Sequence, residues 1–175
     1  MKYIWVIVSL GVSVFLFFSS QNIYAQARVG EKAPGFITST LTGQRIGLKE
    51  YWEKQGKRAI VLSFFATWCQ PCKEDLKYLQ KVHNQHISQG LQVLGVLTQD
   101  SAKESEVRVF LQKLGVHLPV LMDEDGIIGK RYGLIGLPCN FMIDKEGILK
   151  AKYLGYGEDV KREFEKRLIE VLSPP

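Results

Sequence analysis

The chain has 175 residues, 46% of them hydrophobic, with 23 Lys and Arg against 18 Asp and Glu and a formal net charge of +5. Its basic residues are scattered rather than clustered, which argues against a nucleic-acid partner and fits solubility or contact with an anionic membrane surface. No repeat, low-complexity tract or internal linker is visible, and the length provides for one domain with one core.

Residues 1–27 read as a targeting segment. Lys2 is its only charge, Ile4 to Phe18 is apolar, and Ala25-Gln26-Ala27 offers small residues for cleavage. The uncharged stretch approaches the length that spans a bilayer, so a signal peptide and a retained N-terminal membrane anchor are both open. Either way the domain at 28–175 is expected to be exported, periplasmic or extracytoplasmic, and tethered to the inner membrane in the second case. No cysteine lies in this segment, which excludes a lipid-modified N-terminal Cys.

After a leader at Val29–Phe36, two short strands near Phe36–Thr40 and Arg45–Leu48 flank a turn at Thr42-Gly43-Gln44. Leu48 to Gln55 suggests a short helix ending at Gly56. Ile60–Phe65 is apolar and β-prone, the pattern of a central strand. From Gln70 to Gln89 the residues Leu76, Leu79, Val82 and Ile87 recur at helical spacing, and Gly90 provides the stop. Leu91–Leu97 is the next strand, and Ser101 with Glu104 suggests a capping box before a helix whose apolar face is Val107, Phe110, Leu111 and Leu114. Leu118–Leu121 is a short strand that Pro119 confines to its beginning or to an edge. Asp123–Gly126 is a turn without the further oxygen ligands of a calcium loop. Ile128–Tyr132 is a brief helix, Cys139–Ile143 and Ile148–Leu154 a hairpin, and Glu158–Leu172 an amphipathic helix with Val160, Phe164, Leu168 and Val171 inward. This order predicts an α/β sandwich, a mixed central sheet flanked by helices.

Trp68-Cys69-Gln70-Pro71-Cys72-Lys73 carries the chemistry. A thiol in the first turn of a helix faces unpaired N–H groups and the positive end of the helix dipole, and both favour the reactive thiolate. Two intervening residues let the second sulfur reach disulfide distance. A zinc site would need two more ligands at motif spacing, and neither a second Cys-x-x-Cys nor a His-x-x-x-His is present. A purely structural staple across so small a loop would remove little unfolded-state entropy. The pair reads as a redox couple.

With these residues in view, the chain resembles the thioredoxin superfamily and, within it, the exported TlpA/ResA-like thiol–disulfide oxidoreductases. The resemblance covers nearly everything after Ala27 and rests on Gly30–Phe36, Phe64–Cys72, Gly136-Leu137-Pro138, and Phe141–Asp144 with Gly147. It implies a thioredoxin-like fold carrying an N-terminal β-hairpin extension. It implies that Cys69 is the exposed nucleophile, Cys72 the resolving thiol, and Gln70 and Pro71 the tuning dipeptide. Trp68 would shield the pair or simply fill a core edge. Pro138 would be cis, leaving the Leu137 backbone free to pair with an extended substrate. Relatives often carry Glu three residues after the second Cys. Here Asp75 holds that place and Glu74 precedes it, so either is a candidate proton acceptor for Cys72 or a first-turn acid serving the helix dipole. Ser63 stands where thioredoxins have a buried acid.

The leading expectation is a disulfide reductase of exported proteins, with oxidised Cys-x-x-Cys-His segments of apocytochrome c as the favoured substrate and a membrane thiol transporter as electron donor. No cofactor, metal or nucleic acid is expected. One alternative is an exported copper chaperone in which Cys139 adds a third sulfur. Cys139 also reads as an inert buried residue, and His83, His86 and His117 as ordinary packed or solvated side chains. The other alternative, a thiol peroxidase, conflicts with Ala66, because peroxidases of this superfamily place Thr three residues before the reactive Cys.

Overall fold

A computed structural model describes residues 26–53 and 55–173. The expected targeting segment lies outside them except for Gln26 and Ala27. No described helix is long and apolar enough to cross a membrane.

The central sheet grows from the segment with the strongest apolar run. Strand β3 (Ala59–Phe65) is buried along its whole length, as expected for a strand covered on both faces. It pairs in parallel with β4 (Leu91–Thr98), which pairs in parallel with β5 (Val120–Asp123). On its other side β3 meets β6 (Cys139–Asp144) antiparallel, and β6 turns back into β7 (Leu149–Leu154). The resulting order, β5-β4-β3-β6-β7, is the expected mixed sheet. A separate antiparallel hairpin, β1 (Ile37–Ser39) and β2 (Arg45–Gly47), precedes it. This is the thioredoxin-like α/β fold with an N-terminal hairpin.

Strand alternation divides the interior into two cores. On one face Val61, Phe65, Val93 and Met142 pack beneath α2 (Gln70–His86), α3 (Glu104–Leu114) and α5 (Glu158–Leu172). On the other, Leu62, Phe64, Phe141 and Ile143 meet Phe36, Ile46, Leu48 and Tyr51 from the hairpin and from α1 (Glu50–Glu53). Ile128 and Tyr132, in and just after α4 (Ile127–Arg131), complete that second core.

Three local expectations move. Helix α3 starts at Glu104, later than a Ser101 cap would give. The Asp100 carboxylate accepts the Ala102 N–H at 2.9 Å, and Glu106 accepts the Lys103 N–H at 2.8 Å, so the entry turn is held by other residues. Strand β5 begins after Pro119, which has no N–H for the ladder but accepts the Gly95 N–H at 2.9 Å. Asp123 belongs to β5 rather than to the open turn. Its buried carboxylate accepts from Thr98 Oγ1 and from the Ile128 and Gly129 N–H groups, at 2.8, 2.8 and 2.9 Å, anchoring α4.

Gly95 is where β4 passes the ring of Phe65, just before the redox motif. A Cβ there would lie 3.0 Å from that ring and 3.2 Å from Val120. Gly95→Val should therefore overpack the core and lower stability by about 1–3 kcal/mol in urea denaturation.

Candidate active site

The end of β3 and the start of α2 place the two sulfurs. Cys69 is the N-cap of α2 in extended conformation (φ −77°, ψ 106°), with its N–H donating to the Ala66 carbonyl at 3.1 Å. Pro71 sits in the first turn, where its missing N–H removes no helical hydrogen bond. Cys69 and Cys72 form a disulfide with a Cα–Cα distance of 5.3 Å. Cys72 is fully buried and Cys69 nearly so. On reduction, the N–H groups that open α2 would face the Cys69 sulfur and favour its thiolate.

Beside the disulfide is a cavity of about 370 Å³ whose walls include Trp68, Gln70, Pro71, Ile135, Gly136 and Leu137. The peptide bond between Leu137 and Pro138 is cis. Trp68 and Ile135 are 65% and 79% exposed, so apolar surface flanks the reactive sulfur. Gln70 accepts a hydrogen bond from Lys73 Nζ at 2.8 Å on the solvent side.

One wall residue, Gln99, and its neighbour Asp100 escaped the sequence reading. Gln99 has a left-handed backbone (φ 51°), unusual for a residue with a side chain, and its carbonyl accepts from Trp68 Nε1 at 3.2 Å. Asp100 accepts the Thr67 N–H, and its pKa is lowered. Burial works against its charge, but the hydrogen bonds from Thr67 and Ala102 outweigh it. The loop after β4 thus holds the segment that carries Trp68 and Cys69. A polar pair at the C-terminal end of a parallel strand, where ligand-facing loops gather, was the available signal.

Beneath the disulfide lies Asp75, 2% exposed. Asn140 Nδ2 donates to both its oxygens at 3.1 Å, and Ser63 Oγ donates to Oδ2 at 3.3 Å. Burial raises its pKa from 3.8 to about 6, against the lowering effect of the hydrogen bonds from Asn140 and Ser63. Glu74, the other acidic candidate, is exposed and pairs with Lys77 at 2.9 Å. Of the two acids, only Asp75 shares the buried face of α2 with Cys72.

Cys139 is buried and unpaired, but it packs with Phe64, Phe141 and Tyr132 in the second core. Cys69 and Cys72 belong to the first core, across the sheet. Burial raises the Cys139 pKa to about 11. Its position separates it from the redox pair, which leaves the third-sulfur idea without geometry. His83 is three turns along α2 from Cys72 (roughly 16 Å), and its Nδ1 faces the Val93 N–H at 3.4 Å. No group of three or more His, Cys, Asp or Glu among the described residues is arranged to hold a metal ion. Ala66 puts a buried methyl where the peroxidase reading requires a hydroxyl.

Comparison with known proteins agrees with this geometry. The model of the AhpC/TSA family matches residues 29–152. The thiol-disulfide oxidoreductase ResA of Bacillus thuringiensis subsp. konkukian is 31% identical, over 82% of this chain and 78% of the relative. ResA of Geobacillus thermodenitrificans is also 31% identical, over 90% of this chain and 87% of the relative. Among solved structures, a thiol:disulfide interchange protein of the thioredoxin family from Chlorobium tepidum superposes with a TM-score of 0.67. It is 27% identical and covers 85% of this chain and 100% of its own.

The raised pKa of Asp75 has a measurable consequence in the oxidised protein, where neither Cys69 nor Cys72 titrates. The folded state holds the Asp75 proton more tightly than the unfolded state, so this contribution is complete below about pH 4 and is lost as pH rises through about 6. Its size is of order 2–3 kcal/mol. Urea denaturation across that window should show this loss in the native protein, and Asp75→Asn should flatten it.

Proposed function

Because the chain belongs to the AhpC/TSA family and to the TlpA/ResA-like thiol–disulfide oxidoreductases of the thioredoxin superfamily, we propose that it works as a reductase of disulfides in exported proteins. The observation that carries this reading is the Cys69–Cys72 couple at the head of α2, with an apolar groove on one side and, underneath, a buried acid without a cationic partner among the described residues.

In the reduced protein the Cys69 thiolate attacks one sulfur of the substrate disulfide. A bond forms between Cys69 and that sulfur, the substrate S–S bond breaks, and the departing thiolate takes up a proton. Asp75 then accepts the proton of the Cys72 thiol. The Cys72 thiolate attacks Cys69 Sγ, closing the Cys69–Cys72 bond and releasing the second substrate sulfur as a thiolate. Two electrons have passed from the protein to the substrate. A dithiol donor, for which a membrane thiol transporter is the proposed candidate, reverses the exchange and restores the pair.

Substrate positioning falls to Trp68, Gln70, Pro71, Leu137 and Pro138. The groove walls hold apolar side chains next to the target cysteine, and the Leu137 backbone offers pairing to an extended segment. A Cys-x-x-Cys-His segment of apocytochrome c suits such a site because it is short, extended and carries both sulfurs close together. Residues 1–27 would export the domain, as a cleaved signal or as a retained anchor.

Measurement of the Cys69–Cys72 reduction potential tests the direction of transfer. A value near or below roughly −250 mV is expected, whereas one near roughly −120 mV would mark a disulfide donor and overturn the reductase reading. With an oxidised Cys-x-x-Cys-His peptide, Cys72→Ser should accumulate a mixed disulfide through Cys69, and Cys69→Ser should form none.

A further inference from the structure

The face of the sheet beneath the disulfide carries a polar side chain that the exchange of sulfurs does not itself require. Asn140 in β6 lies directly opposite Ser63 in β3, and both side chains reach Asp75 on α2. Its neighbours in the strand, Cys139, Phe141, Met142 and Ile143, are all buried and apolar. Asn140 is 2% exposed, and its Oδ1 is buried with no hydrogen-bond partner among the described residues. An idle buried acceptor costs stability, which an apolar side chain at this position would avoid.

A carboxamide differs from other small polar groups in presenting a donor and an acceptor at nearly interchangeable positions. A half-turn about its last bond exchanges Nδ2 and Oδ1. We propose that Asn140 is a positioning residue matched to both protonation states of Asp75, donating from Nδ2 to the carboxylate and turning to accept at Oδ1 from the carboxylic acid. This role rests on the reading that Asp75 takes the Cys72 proton. In that step the proton leaves Cys72 Sγ for a carboxylate oxygen, the sulfur keeps the electron pair as thiolate, and no electron changes owner. The new O–H then meets the acceptor that had stood idle.

The titratable groups that bear on Asp75 are few. Cys72 and Tyr78 lie on its own helix, and Cys139 bears on it from β6. From β3 it meets only the neutral Ser63, while Lys152 of β7 acts on Cys139. Asn140 and Ser63 are therefore the groups that favour the Asp75 anion against its burial.

The test follows the Asp75 carboxyl carbon by NMR as a function of pH in the oxidised protein. Asn140→Leu, close in size, removes two charge-assisted bonds from the carboxylate but only one weaker, neutral bond from the acid, so the titration midpoint should rise by about one pH unit. The pH profile for reduction of an oxidised Cys-x-x-Cys-His peptide should move in the same direction. In an Asp75→Asn background the same substitution should leave that profile where it was. Asn140→Ser retains a short hydroxyl and provides a second reading should the leucine variant fail to fold; its midpoint should also rise. An unchanged midpoint in a folded variant overturns the assignment, as does an equal displacement of the profile in the absence of the Asp75 carboxyl. A raised midpoint in a protein that reduces no disulfide supports the role of Asn140 toward Asp75 while refuting the reductase reading.

Discussion

A carboxyl group buried under a disulfide, with hydrogen bonds but no cation among the described residues to support its charge, is the constraint around which this active site is arranged. An isolated carboxylate in an apolar interior is so unfavourable that the group either neutralises or recruits hydrogen bonds. Asp75 does some of each. Its hydrogen bonds from Asn140 and Ser63 only partly offset burial, and its pKa stays raised, at about 6. An acid balanced in this way changes protonation near neutral pH, as proton transfer to and from a thiol requires. Glu74, by contrast, lies on the surface beside Lys77, away from the buried face that carries Cys72.

Strand alternation makes that environment possible and also isolates it. Ser63 and Asn140 face α2, while Phe64 and Cys139, each one residue later or earlier, face the opposite core. A shift of one residue in β6 would exchange Asn140 and Cys139 between the faces and turn Cys139 toward the core that holds the redox pair. The register thereby protects the two-cysteine chemistry from a competing third thiol. It also puts Asn140 two residues after the cis Pro138, so one strand bears on both the groove and the acid.

How far such an arrangement can be read from sequence depends on whether local pattern or strand pairing decides it. The junction of β3 and α2 is legible because an apolar run, a Cys-x-x-Cys motif and a helical repeat follow one another without interruption. Asp75 is legible too, since it falls three residues after Cys72 and next to Leu76 on the buried face. Asn140 is not, because a polar residue in a strand declares its face only when the partner strand and register are known. A polar residue inside an otherwise apolar strand was nevertheless a usable signal. The Gln99–Asp100 loop is hidden for another reason. The Gln99 carbonyl and the Asp100 carboxylate accept from Trp68 and Thr67, groups distant in sequence, and the same Asp100 that supports Thr67 delays α3 past its expected cap at Ser101.

The surroundings of the two sulfurs bear on the direction of electron flow. A disulfide is strongly oxidising when its reduced form is stabilised, chiefly through a stabilised thiolate. The head of α2 supplies such stabilisation to Cys69 through its N–H groups and dipole. Opposing it, Cys72 is fully buried above an acid that is mostly ionised at neutral pH, and burial and like charge both disfavour a second anion there. In the proposed exchange, transfer of the Cys72 proton to Asp75 would move the charge rather than add one, so Cys72 would become nucleophilic without resting as a thiolate. The charge of the reduced pair therefore rests at Cys69 rather than at Cys72. On these grounds the buried acid opposes, at Cys72, the stabilisation that the head of α2 gives the reduced pair at Cys69.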